Sequence, residues 1–117
     1  MNNNKNDLRN DSIDFAIEIS DICDEIKGCS VYTTQLVRSS SSIGANIHEA
    51  QYAQGTKDFI SKLEIAQKEC YETEYWLELL FETGCIEQTS YKAIQNDCGA
   101  IRRMLISSLN TIKAKQE

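Results

Sequence analysis

Ser39-Ser40-Ser41-Ser42-Ile43-Gly44-Ala45-Asn46-Ile47-His48-Glu49-Ala50 is the stretch whose reading decides the fold. Four consecutive serines with a glycine close behind have the composition of a flexible linker. The apolar spacing argues otherwise. Leu36, Ser40, Ile43, Ile47 and Ala50 follow one another at four, three, four and three residues, which is the repeat of one helix face, and the repeat passes through the serines unbroken. The stretch therefore lies inside a helix, and its small side chains let a neighbouring helix approach closely. Gly44 in that helix costs up to about 1 kcal/mol relative to alanine through added backbone freedom.

The same repeat extends outward in both directions. Leu8, Phe15, Ile19, Ile22 and Ile26 form one stripe, widened by Ala16 and Cys23. Phe59, Leu63, Ala66, Cys70, Thr73, Leu77 and Leu80 form another, and Tyr91, Ile94, Cys98, Ile101, Leu105, Leu109 and Ile112 a last one. The stripes predict helices over residues 7–27, 30–53, 56–83 and 88–114, with Ser30 and Thr56 as N-caps and Gly28 and Gly84 as C-terminal stops. Cys85-Ile86 then tucks the last turn onto the bundle end. Asp58 with Lys62, and Glu64 with Lys68, are four apart in the order that supports an exposed helix. No segment alternates apolar and polar residues long enough to read as a half-buried strand, and there is no proline. Short connections force consecutive helices to run antiparallel, so the expected fold is all-α: a single domain, residues 1–117, built as an up-down-up-down four-helix bundle.

Composition bounds the function. With 41% apolar and 26% charged residues the chain is that of a globular protein, and a core of this size would gain from oligomerisation. No apolar run is long enough to span a bilayer. Met1–Asp7 lacks the apolar core of a signal peptide and reads as a short frayed tail of a cytoplasmic protein. The five cysteines Cys23, Cys29, Cys70, Cys85 and Cys98 are odd in number and contain no Cys-x-x-Cys pair. That argues against a disulfide framework and against a closed zinc site. Cys23, Cys70 and Cys98 fall on or beside apolar stripes, where cysteine acts as a small hydrophobe.

Catalytic and metal chemistry find little to work with. A di-metal bundle core needs Glu-x-x-His on two helices, and the only histidine, His48, belongs to no such motif. Glu69 and Glu72 are three apart without an imidazole partner, and read as part of a solvated face or an ion-pair network. His48 beside Glu49 is the only candidate base, and reads as a half-exposed interface residue. No metal or cofactor is expected, nor enzymatic activity.

The net charge of −6 is unevenly spread. Within residues 7–25, Asp7, Asp11, Asp14, Glu18, Asp21, Asp24 and Glu25 stand against Arg9 alone, and the third helix is acidic too. The last carries Lys92, Arg102, Arg103, Lys113 and Lys115 against Asp97. These cations are a candidate nucleic-acid patch. With an isoelectric point near 4.8, the favoured reading is that they pair with acids of the first and third helices, within a protomer or across an interface. Aromatic placement points to assembly: Tyr71, Tyr75 and Trp76 cannot all share the core stripe of Cys70, Thr73 and Leu77, so they are candidate subunit-interface anchors. Asn46, His48 and Glu49 are interface candidates as well, able to bridge helices or subunits by hydrogen bonds.

Ser42-Ile43-Gly44-Ala45-Asn46-Ile47-His48-Glu49-Ala50, the Phe59 helix start, and Glu72-Thr73-Glu74-Tyr75-Trp76-Leu77-Glu78-Leu79-Leu80 together resemble the 23S rRNA intervening-sequence protein family, also labelled four-helix-bundle protein or S23 ribosomal protein. The resemblance covers roughly residues 10–113. The family usually has proline where this chain has Gly44, which implies a straighter second helix here. The family is bacterial and supplies no agreed biochemical activity. It is related to the accessory variability determinant of diversity-generating retroelements, a basic pentamer of four-helix bundles that acts with a reverse transcriptase. The resemblance thus implies the same fold and a homo-oligomer, a pentamer, with a protein or nucleic-acid partner unidentified.

Overall fold

A computed structural model describes residues 4–116, with side chains from residue 7. Four helices follow one another: α1 (Asn4–Glu25), α2 (Ser30–Ala50), α3 (Thr56–Glu82) and α4 (Gln88–Lys115). The described residues contain no strand. Residues that meet across each seam run in opposite numerical order. Arg38 meets Glu72, Ser39 meets Thr73, and Glu49 meets Lys62, so α2 and α3 are antiparallel. Glu64 meets Lys113 and Glu74 meets Arg102, so α3 and α4 are antiparallel too. Each helix packs on the next, α4 returns to α1, and the diagonal pairs stay apart. The bundle measures 47 × 28 × 21 Å.

One core runs through all four helices. Leu8, Phe15 and Ile19 supply it from α1, and Leu36, Ile43, Ile47 and Ala50 from α2. Leu63, Ala66, Cys70, Leu77 and Leu80 come from α3, and Ile94, Cys98, Ile101, Leu105 and Leu109 from α4. The stripe residues nearest the bundle ends, Ile22, Ile26, Phe59 and Tyr91, are only partly covered and pack against its edges. The serine run lies inside α2, as the spacing requires. Ser39 and Ser40 are buried, and α2 makes its most extensive contact with α3. In that seam the Thr73 hydroxyl donates to Ser39 Oγ at 2.9 Å, and Ser39 donates back to its own helix at Leu36 O, 3.3 Å away. Gly44 serves a different approach. A Cβ there would stand 3.2 Å from Ser12 Oγ of α1, and Ser12 is itself buried with its hydroxyl on Arg9 O at 2.7 Å.

The helix ends differ from expectation in physically simple ways. α1 begins at Asn4, so residues 4–7 of the expected tail are helical; Met1–Asn3 lie outside the described residues. It stops at Glu25 rather than 27, because Gly28 and Cys29 both adopt left-handed backbone, with φ of 77° and 59°. α2 stops at Ala50 rather than 53, where residues 51–53 turn towards α3. Ser30 and Thr56 are first helical residues, not caps. The cap positions belong to Cys29 and Gly55, and neither makes a side-chain capping bond. At α3 the Asp58 carboxylate instead accepts the Gln54 backbone N–H at 3.2 Å. The other end of α3 closes as the glycine signal predicts. Gly84, at φ 79°, lets its N–H reach Phe81 O, while the Cys85 N–H reaches Leu80 O at 2.8 Å, so two carbonyls of the last turn are satisfied.

A further correction concerns cysteine. Cys29 and Cys85 form a disulfide, with Cα atoms 6.7 Å apart. The expectation of no disulfide rested on odd number and missing Cys-x-x-Cys spacing, neither of which senses topology. Cys23, Cys70 and Cys98 are free; Cys70 and Cys98 are buried, as the small-hydrophobe reading has it.

Gly44→Val should lower stability by about 2 kcal/mol, because the added branch drives into Ser12 on a rigid, hydrogen-bonded helix. A reduced denaturation midpoint with unchanged slope checks this; an unchanged midpoint would mean that α1 can yield at Ser12.

Candidate functional site

Without a proline or a break, α3 carries Tyr71, Tyr75 and Trp76 at fixed angles, and they fall into two neighbouring clusters. On the α3–α4 side, Tyr71 is 50% exposed and the Arg102 guanidinium lies over its ring, 5.0 Å from the centroid. Arg102 Nε donates to Glu74 Oε2 at 2.8 Å. The Arg102 pKa is raised further, chiefly by that hydrogen bond. Gln95 donates to Glu74 O and to the Tyr91 hydroxyl, both at 3.2 Å, and so fastens α4 to α3 just above.

On the α2–α3 side, Trp76 is half-buried against the core, and its indole N–H donates to Glu72 Oε2 at 3.0 Å. Its ring stacks on Tyr32 of α2 at 6.3 Å and meets Tyr75 edge-on at 5.1 Å. Tyr75 is 55% exposed. Arg38 bridges Glu72 and Glu69, so these two carboxylates belong to an ion-pair network between helices. Of the three aromatic interface candidates, Tyr71 and Tyr75 are therefore open to a partner, whereas Trp76 serves the protomer first.

Asn46, His48 and Glu49 lie elsewhere. Glu49 meets Lys62 at 3.4 Å, and Trp76 is fourteen residues further along α3, about 21 Å at the helical rise. Asn46 does not bridge helices: its amide donates to Ser42 O and Oγ of its own helix, at 2.8 and 3.2 Å. Glu49 does bridge, to Lys62 of α3. His48 is exposed and leans on Tyr52, ring centroids 5.3 Å apart. The structure brings these three to the α2 C-terminus and does not join them to the aromatic clusters.

The α4 cations are likewise dispersed. Arg102 pairs with Glu74, and Lys113 with Glu64 at 2.6 Å. Arg103 is exposed and folds over Gly99, while Lys92 and Lys115 are exposed near opposite ends of a helix 28 residues long. Two of the five are thus neutralised by α3, as the pairing argument expects. None pairs with α1: among the described residues no ion pair includes an α1 side chain. The in-helix pairs read from spacing are replaced as well, since Lys62 turns to Glu49 and Glu64 to Lys113.

Sequence reasoning missed the consequence for α1. A groove of about 720 Å³ runs between α1 and α4, with Asp11, Asp14, Glu18 and Asp21 on one wall and Asp97 on the other. Glu18 is pushed up from the ordinary 4.5 to about 7, first by burial, then by a hydrogen bond to Asp97 and by that residue's charge. The acid run in α1 was the visible signal; that Asp97 would face it depended on helix rotation. Cys98 is held protonated, first by its hydrogen-bonding to Cys70 and then by burial, and Cys23 is shifted upward by burial and by Asp24. Among the described residues, no three His, Cys, Asp or Glu side chains converge to hold a metal ion. No described helix is long and apolar enough to cross a membrane.

A disulfide between Cys29 and Cys85 had a readable signal after all. Each follows a helix-ending glycine, as Gly28-Cys29 and Gly84-Cys85, and an up-down-up-down bundle puts the ends of its first and third helices together.

Glu18 makes stability pH-dependent with a definite sign. Its folded value lies above the unfolded one, so the folded chain holds a proton that the unfolded chain releases in this window. That contribution is fully present below 4.5 and is lost as pH rises through about 7. Glu18→Gln should flatten the fall in melting temperature between pH 5 and pH 8 and raise it at the alkaline end, as read by thermal denaturation across that range. A parallel shift at every pH would show that the carboxyl pair is not the cause.

The model of the 23S rRNA-intervening sequence protein family matches residues 4–107. A crystal structure from Bacteroides thetaiotaomicron, of a protein with unknown function from the S23 ribosomal protein family, is 42% identical. That match spans 92% of this chain and 99% of the other, with a TM-score of 0.88. No curated protein matches. A family match over nearly the whole bundle, joined to a solved relative with the same four helices, leaves one assignment: the chain belongs to the 23S rRNA-intervening sequence protein family.

Proposed function

We propose that this protein is a non-enzymatic, cytoplasmic scaffold that assembles into a closed homo-oligomer, a pentamer, and presents the assembled surface to a partner. The observation that carries the reading is the pair of half-exposed tyrosines, Tyr71 and Tyr75, held rigidly outward on α3 by Arg102 and Trp76. Tyrosine gives large contact area with little rotamer entropy to lose, and half-exposed rings fixed by neighbours are already organised for binding. A ring buries the same patch on every subunit and leaves no open end.

The expected solution mass is five times the 13.3 kDa of the chain. Tyr71→Ser with Tyr75→Ser should shift light scattering towards smaller species, at a cost of about 2 kcal/mol or more per anchor that sits in the contact. Both rings are half-exposed, so the melting temperature of the separated protomer should change little. Wild-type protein that stays monomeric at tens of micromolar overturns the ring.

A second reading, a nucleic-acid-associated accessory protein for rRNA or a reverse transcriptase, is favoured by one observation: Lys92, Arg103 and Lys115 are exposed, and none has an ion pair among the described residues. The family's name, which refers to an intervening sequence of 23S rRNA, points the same way. Neutralisation of Arg102 and Lys113 by α3 and the net charge of −6 weigh against it. Mixed-sequence RNA should bind weaker than micromolar at physiological salt. Tighter binding, lost in Lys92→Glu with Arg103→Glu while the oligomer persists, would put this reading first.

A further inference from the structure

Cys29 and Cys85 sit where chemistry, backbone strain and the aromatic cluster meet. The disulfide joins the α1–α2 connection to the α3–α4 connection, fifty-six residues away in sequence, at one end of the bundle. Both half-cystines are only partly buried and pack on the edge of the core, so a thiol can reach them. The core itself does not contain them: its buried side chains close the bundle from Leu8 to Leu109 without either sulfur. A chain with this bond cut therefore keeps the means to stay folded. If the protein works in the cytoplasm as proposed, a disulfide there is maintained against a reducing thiol pool, and such bonds are characteristically transient or sensing.

Cys29 is also the single non-glycine residue with positive φ among those described. Left-handed backbone is disfavoured for a side chain with a Cβ and persists where the surroundings impose it. The bond to Cys85 is made at that same residue. From Cys29 the path to the surface is short. Its carbonyl accepts the N–H groups of Tyr32 and Thr33, at 2.9 and 3.0 Å, and so sets the first turn of α2. Tyr32 stacks on Trp76, which meets Tyr75.

We propose that Cys29 and Cys85 form a thiol–disulfide exchange site, served by a dithiol, that switches the Tyr32–Trp76 stack between a fixed and a relaxed arrangement. In the reducing direction a thiolate of the dithiol attacks Cys29 Sγ. The Cys29–Cys85 bond breaks, and a mixed disulfide forms between Cys29 and the reductant. Cys85 leaves as a thiolate and takes up a proton. The Thr83 hydroxyl, 3.4 Å from Cys85 Sγ, can turn from Leu79 O to donate to that leaving sulfur. The second thiol of the reductant then attacks the mixed disulfide and frees Cys29, and the reductant departs as its own cyclic disulfide. Two electrons and two protons have passed from the dithiol to the protein. Cys29 then loses its tie, the connection relaxes, and Tyr32 is no longer held against Trp76. The consequence for assembly rests on the interface reading above, because Tyr75 packs on the same indole; the switch itself does not.

The test uses the full chain, with dithiothreitol as the dithiol and glutathione disulfide as the oxidant. Denatured oxidised protein should expose three titratable thiols and reduced protein five, matching three free cysteines out of five. Trp76 is the only tryptophan, so its emission reports the stack without labelling. Emission should shift on reduction and return on reoxidation, with the melting temperature falling by roughly 10 °C in the reduced form. Cys85→Ser should have the reduced spectrum and ignore dithiothreitol; reduction of wild type supplies the same comparison should that variant fold poorly. Five thiols after oxidant treatment of folded protein would overturn the proposal, because the pair then does not exchange. Reversible loss of the bond with unchanged Trp76 emission would overturn it too, because the bond is then a staple and not a switch. Light scattering on the same samples separates the two readings: a monomer in both redox states sinks the ring and leaves the exchange site standing.

Discussion

The close approach of α2 to α3 is the constraint on which the rest of the bundle depends. Two helices can come this near only where side chains are small, and Ser39 and Ser40 meet that condition in the middle of α2. Closeness has a consequence for polarity. A hydroxyl buried in a dry seam must find a partner, and Ser39 finds Thr73 across the seam and Leu36 O within its helix. The pair acts as a register pin, because a shift of either helix by one residue would take Ser39 Oγ away from the buried Thr73 hydroxyl that donates to it. With α2 and α3 fixed in this way, Arg38 falls opposite Glu69 and Glu72, and Glu49 opposite Lys62. The same logic places α1, where Gly44 admits the buried Ser12.

Charge is then distributed by seam rather than by helix. α3 lies between α2 and α4 and spends its acids on both: Glu69 and Glu72 on Arg38, Glu64 and Glu74 on Lys113 and Arg102. Exposed ion pairs contribute little individually, so these contacts orient side chains more than they stabilise the fold. Among the described residues no ion pair holds α1. Its wall of carboxylates meets another acid, Asp97, and the Glu18–Asp97 pair tolerates the encounter by keeping a proton. α1 is held by its apolar stripe and, at its C-terminal end, by the connection that carries Cys29. The sparsest helix contact in the bundle is accordingly the one between α1 and α4.

These two facts divide the molecule into a side joined by ion pairs between helices and a side without them among the described residues. The first, around α3, carries the tyrosines on which assembly is proposed to depend. The second carries the acidic groove. Between them, at one end, the disulfide ties the connection after α1 to the connection after α3 and cross-links the two sides.

The sequence by itself determined the helices, their stripes and their order. A period of three and four residues is a local property, it survives the serine run, and short connections leave little choice of topology. Leu36, Ile43, Leu77 and Leu105 could be assigned to the core for that reason, and all are buried. Gly84 could be assigned to a helix end because its backbone freedom is intrinsic to the residue. Rotation of one helix against another was beyond its reach, and the misjudged ion pairs follow from that. Lys62 and Glu64 have partners within their own helix by spacing, yet neighbouring helices offer Glu49 and Lys113 instead. Asp97 faces Glu18, not a cation, because the turn of α4 that points Arg102 at Glu74 points Asp97 at α1. Cys29 and Cys85 each follow a helix-ending glycine, and the order of the helices brings those ends to one side of the bundle; that the two sulfurs come within bonding reach is decided by how the two connections pack.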